Sequence, residues 1–96
     1  MEFDWKNPPF ELDSSLTQRE IEESFEDPFA VRLLPASSRF SVQARYINLG
    51  MSAAGQGVFS VYRTNGKTFR IVHARPFEAE ERFFYQRKVD QTLGTT

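Results

Sequence analysis

Asn65-Gly66 stands between two runs rich in β-forming residues, 57–64 (Gly-Val-Phe-Ser-Val-Tyr-Arg-Thr) and 67–74 (Lys-Thr-Phe-Arg-Ile-Val-His-Ala). Both turn residues tolerate positive φ, and such a pair between β-formers predicts a tight type I′ hairpin. That hairpin constrains the chain more than any other local feature. It commits the second half to an antiparallel sheet, and the remaining segments must cover that sheet or extend it.

Upstream, Thr17-Gln18-Arg19-Glu20 has capping-box spacing, with Thr17 at the N-cap and Glu20 at N3. Leu16 and Ile21 are placed as a hydrophobic staple, and Ile21 and Phe25 share one helical face. Pro28 ends the element, so a short helix is expected over about 18–26. A helix this short is unstable alone and must dock. Residues 3–13, with Pro8-Pro9, read as extended or irregular. Two further strands are expected, a weak one over 29–34 and one over 41–49. In the latter, Val42, Ala44 and Tyr46 point one way and Gln43, Arg45 and Asn48 are mostly exposed. Ile47 and Leu49 blur the phase, which implies burial on both faces or a bulge. Met51–Gln56 reads as a looser connection. Pro76 suits the first turn of a second helix over 77–89, docking through Phe77, Phe84 and either Tyr85 or Phe83.

The expected fold is therefore α+β. It has two layers, with a short N-terminal helix, an antiparallel sheet of three to four strands and a C-terminal helix packed on it. Ninety-six residues make one domain, which buries roughly 60–65% of its unfolded surface. Its core is expected over about 3–89, with a frayed tail. Ten Phe, three Tyr and one Trp supply much of the apolar burial. The chain has no Cys, which excludes disulfides, thiolate metal sites and cysteine nucleophiles. No apolar run is long enough to span a bilayer, and Met1-Glu2-Phe3-Asp4-Trp5 does not begin like a secretory signal. A cytoplasmic protein without membrane partners is expected.

The formal charge is −1, but the signs are unevenly distributed. Residues 1–27 hold nine acidic side chains against Lys6 and Arg19, whereas the rest holds ten basic and four acidic. A basic face is expected on the sheet half. No glycine-rich phosphate loop, HExxH or paired Cys/His spacing is present, so neither a cofactor nor a metal is expected.

Chemistry concentrates at Arg70, His73 and Arg75, with Arg63 across the hairpin and Arg45 on a neighbouring strand. Strict alternation turns His73 and Arg75 to one face and Arg70 to the other, unless the strand bends. Guanidinium groups can grip a charged phosphorane while imidazole moves a proton, so the cluster suits phosphodiester chemistry. RNA supplies its own 2′-hydroxyl nucleophile. The structural alternative is that Arg70 and Arg75 bridge to the acidic stretch Glu78-Ala79-Glu80-Glu81, with Tyr62 and Tyr85 as core or rim rings. Trp5, near Phe3, then pins the amino-terminal strand over the core.

Phe3-Asp4-Trp5, Thr17–Pro28, Arg45-Tyr46-Ile47-Asn48-Leu49-Gly50, Val61-Tyr62 and Arg70-Ile71-Val72-His73-Ala74-Arg75, with Glu81 and Tyr85, together resemble the BrnT family of type II toxins (the DUF497 domain). The likeness spans about residues 3–88. It implies a RelE-like ribonuclease fold, metal-independent RNA cleavage and a ribbon-helix-helix (BrnA-like) antitoxin partner. Operator DNA would be bound only through the toxin–antitoxin complex. Arg45, Arg70, Arg75 and Tyr85 match family positions, and with His73, singled out by its own chemistry, the catalytic candidates are His73, Arg75, Arg70 and Arg45. Tyr85 and Trp5, which match family positions, and Arg63, from its place across the hairpin, are the RNA-binding candidates. The chain departs from the family at Asp13-Ser14-Ser15-Leu16, where a Lys-His-Gly segment is usual. His73 stands where the family has serine, and Asp4-Trp5 reverses the usual order. Two functions stay open at this stage: a ribonuclease toxin, and a catalytically inactive relative that pairs with an antitoxin. A plain domain that forms a homodimer is the remaining alternative.

Overall fold

A computed structural model describes residues 2–5, 16–33 and 45–94 of the chain. The capping box forms as its spacing predicts. The Glu20 amide donates to Thr17 Oγ1 at 3.1 Å, and the Thr17 amide donates to Glu20 Oε1 at 3.0 Å. Helix α1 spans Gln18–Glu26 and buries Ile21, Ser24 and Phe25. Its last carbonyls, which have no partner inside the helix, are taken up by the sheet. Asn48 Nδ2 donates to Ser24 O, and Arg32 Nη2 to Phe25 O, both at 3.2 Å. Arg32 also places a positive charge at the negative end of the helix.

The strands are β1 (Glu2–Phe3), β2 (Val31–Leu33), β3 (Tyr46–Met51), β4 (Gly57–Thr64) and β5 (Thr68–Pro76), and helix α2 covers Ala79–Leu93. They form one sheet in the order β1-β5-β4-β3-β2. β1 runs parallel to β5 and every other pairing is antiparallel, so the sheet is mixed and five-stranded, not purely antiparallel with three or four strands. The missed strand is β1, two residues long and held by backbone pairing to Thr68 and Phe69. Such a short edge leaves no alternation to read. Val42, Gln43 and Ala44 of the expected 41–49 strand lie outside the described residues, as do Pro8-Pro9 and Asp13-Ser14-Ser15.

The molecule is a small α+β domain in which two helices flank the sheet. α1 covers one face, where Leu16, Ile21 and Phe25 pack with Val58, Tyr62, Ile71 and Ala74, and Phe3, Trp5, Tyr46 and Phe69 close the rim. Phe25 meets Tyr62 edge-on at 5.0 Å and Phe3 at 5.2 Å, the arrangement that ring quadrupoles favour. On the opposite face α2 lies across one end of the sheet, where Tyr85 and Phe77 pack with Leu49. β3 is thus buried on both sides, which explains its blurred pattern. Asn48, expected to be exposed, is fully buried and points toward α1.

Three other expectations are corrected. Thr64 pairs with Phe69, so the hairpin connection is longer than two residues. Gly66 takes φ +94, and Asn65 Oδ1 accepts the Lys67 and Thr68 amides, each at 2.9 Å. Pro76 ends β5 and does not open α2, whose N-cap is Glu78. α2 docks through Tyr85, while Phe83 (70% exposed) and Phe84 (37% exposed) stay outside; it continues to Leu93, beyond its expected end at 89.

Gly50 fixes the approach of α1, because an added Cβ would fall 1.9 Å from the Ser24 carbonyl oxygen. Gly50→Ala is expected to destabilise the fold by roughly 1–3 kcal/mol through overpacking. Urea denaturation checks this, and an unchanged midpoint would contradict so close a contact.

Candidate functional site

β5 carries one residue more than β4 opposite it. Val61 pairs with His73 and Tyr62 with Ile71, so Val72 is an extra residue in a β-bulge. The bulge resets alternation. Ile71 and Ala74 both enter the α1 core, and Arg70, His73 and Arg75 therefore share the other face. Strict alternation had separated Arg70 from His73; the inserted residue is the bend that reunites them.

Strand register arranges this face in three rows. The first is Val31, Leu49, Phe59 and Arg75, and the second is Leu33, Ile47, Val61 and His73. The third is Arg45, Arg63 and Arg70: Arg63 pairs directly with Arg70, and Arg45 lies one step beyond the Tyr46–Tyr62 pair. Arg45, Arg63 and Arg70, with Val72, line one open concavity of about 200 Å³. All three arginines and His73 are exposed.

Arg75 is held more tightly. Its Nη1 donates to Glu81 Oε1 at 2.6 Å and lies 3.9 Å from Glu78 Oε1. Its guanidinium stacks 4.2 Å from the Phe59 ring centroid. The hydrogen bond from Arg75 is the main cause that holds the Glu81 carboxyl below its usual range, and the same bond raises Arg75. The Glu78 amide also donates to Glu81 Oε1, at 2.8 Å. Arg75 thus ties β5 to the start of α2.

Two RNA-binding candidates lie away from the arginine row. Trp5 is on the α1 face, stacked on Phe3 with Nε1 donating to Glu22 Oε2 at 2.7 Å. Tyr85 is 5% exposed, and its hydroxyl donates to Asp27 Oδ2. Arg63, by contrast, stands in the row beside Arg70. Sequence reasoning did not single out Asp27, although an Asp before the helix-ending Pro28 is a ready acceptor for nearby amides. Among the described residues no group of three or more His, Asp or Glu is arranged to hold a metal, and no helix is long and apolar enough to cross a membrane.

Burial, and then the bond to Asp27, push the Tyr85 phenol above its ordinary value of 10.0. The fold therefore favours neutral Tyr85, so its contribution is intact below about pH 10 and is lost as pH rises beyond it. Denaturation midpoints should fall in that alkaline range. Tyr85→Phe should reduce the slope, with a residual from buried Tyr62, whose phenol is also raised. At neutral pH the same substitution should lower stability by about 1–3 kcal/mol, because Asp27 loses a donor. Comparison of the chain with protein-family models, curated proteins and solved structures finds no match.

Proposed function

We propose that this chain is a metal-independent endoribonuclease of the BrnT toxin type, acting on RNA at the face that carries His73 and the arginine row. The observation that carries this reading is the Val72 bulge, which turns Arg70 and His73 to one open side. In this mechanism the RNA 2′-oxygen attacks the adjacent phosphorus and the bond to the 5′-oxygen breaks. The 2′-proton passes to the His73 imidazole, and the departing 5′-oxygen takes a proton from water. The products are a 2′,3′-cyclic phosphate and a 5′-hydroxyl end. Imidazole suits the transfer because a neutral ring nitrogen can accept the proton. Arginines of the row stabilise the doubly charged phosphorane. Arg75, engaged by Glu81, positions the β5 end on which His73 sits.

A second reading draws on the same face. Leu33, Ile47, Leu49, Phe59 and Phe84 line an open groove of about 260 Å³ rimmed by Glu80 and Glu81. An apolar groove of this kind fits the helix of a ribbon-helix-helix antitoxin, whether or not the chain cleaves RNA.

Purified protein should cut single-stranded RNA in excess chelator and leave cyclic phosphate ends. His73→Ala should lower the rate at least about 100-fold while the thermal midpoint stays unchanged. Absence of cleavage by a folded protein would leave the antitoxin-pairing reading in its place, and full activity in His73→Ala would remove His73 from the mechanism.

A further inference from the structure

Helix α2 has two unlike sides. Tyr85 is its one buried side chain among the described residues, with Glu81 and Val89 half-buried on the same flank. Residues three, four and seven apart stand on one helical face. Glu80, Phe83, Phe84 and Arg87 therefore form a second stripe, turned away from Tyr85. All four are exposed, Phe83 to 70% and Phe84 to 37%. Two such rings leave roughly 200 Å² of apolar surface open. By size alone a patch like this is ordinary; the charges that flank it are what identify a partner.

Along the helix the stripe runs acid, ring, ring, base. Reversed, it runs base, ring, ring, acid, so it is its own complement. Two copies of α2 laid antiparallel, with a two-fold axis between Phe83 and Phe84, set Phe83 against the partner's Phe84. The same axis sets Glu80 against the partner's Arg87, and by symmetry each contact is made twice. Neither charge is committed elsewhere: among the described residues Glu80 and Arg87 make no ion pair. A formal charge of −1 also leaves two copies with little general repulsion. A different protein would have to supply this order of groups anew, whereas a second copy already carries it.

We infer that the Glu80–Phe83–Phe84–Arg87 face of α2 is a self-association surface, on which two copies of this chain pair through antiparallel α2 helices. This goes beyond the ribonuclease reading and does not rest on it. The two rings and the stems of the flanking charges offer each copy well under the roughly 800 Å² of a standard interface. The dimer is therefore weak and reversible.

Sedimentation equilibrium of the full chain tests this, and Kd should fall on the order of 10–100 µM. Phe83→Asp should weaken pairing at least about tenfold, because the charge enters the contact twice. Glu80→Arg or Arg87→Glu alone sets like charges against each other at both ends and should weaken it about tenfold. The two reversals combined restore opposite charges, and Kd should return to within about threefold of the starting value. That recovery also excludes misfolding as the cause of the single losses. Arg82→Glu makes the same change in net charge off the stripe and should leave Kd within about threefold. A chain that stays monomeric at millimolar concentration would overturn the inference and leave the stripe to a different protein. A dimer indifferent to Phe83→Asp, or a double reversal as weak as either single one, would overturn it as well, since pairing would then use another surface or register.

Discussion

The carboxylate of Asp27 joins the parts of this domain that sequence leaves far apart. Oδ1 accepts the Phe29 amide at 2.9 Å, while Oδ2 accepts the Met51 amide at 2.8 Å and the Tyr85 hydroxyl. One side chain therefore fixes the turn after α1, the end of β3 and the middle of α2. Helix α2 has few other anchors: among the described residues Tyr85 is its one buried side chain, joined by the Arg75–Glu81 pair at its start. Loss of the carboxylate would strand two amides and a phenol in a half-buried place, each a substantial desolvation penalty. The open face keeps its shape because α2 is held at one end of it and does not slide across the rest.

The two faces of the sheet divide their tasks. The α1 side carries most of the aromatic packing, with Phe3, Phe25, Tyr62 and Phe69 in mutual ring contact. Stability resides there. The other side grades from apolar rows under α2 to arginines beside the hairpin, and is free to carry chemistry that a core would not tolerate. β4 serves both, presenting Val58, Ser60 and Tyr62 to α1 and Phe59, Val61 and Arg63 to the opposite face.

Much of the architecture was legible in the chain. Thr17, Glu20 and Pro28 set the limits of α1 because capping and proline act locally, through the backbone of the same few residues. The approximate extents of β4 and β5 followed from their β-forming runs. The clustering of charge on the sheet half likewise survives as the arginine row. What could not be read depends on partners distant in sequence. β1 exists only through pairing with β5, and Asn48 is buried only because the α1 carbonyls need a donor. Arg75 was legible as a bridge to the acidic stretch 78–81 and also as a phosphate ligand; its contacts with Glu81 and Phe59 appear in three dimensions. The positions of Trp5 on the α1 face and of Tyr85 beneath α2 were likewise invisible, because a ring carries no mark of the face it will fill.

Val72 gives β5 an unusual tolerance. The residue is surplus to the ladder, so a chain lacking it would regain ordinary two-residue alternation with Ile71 and Ala74 still inward and Arg70, His73 and Arg75 still outward. Removal of Ile71 or His73 would instead draw Val72 into the vacated ladder place, at the cost of a core side chain or of the imidazole. Shortening is therefore the conservative change at this one position. It would flatten the local twist that opens the hollow beside Arg70, while leaving the hydrophobic interior in place.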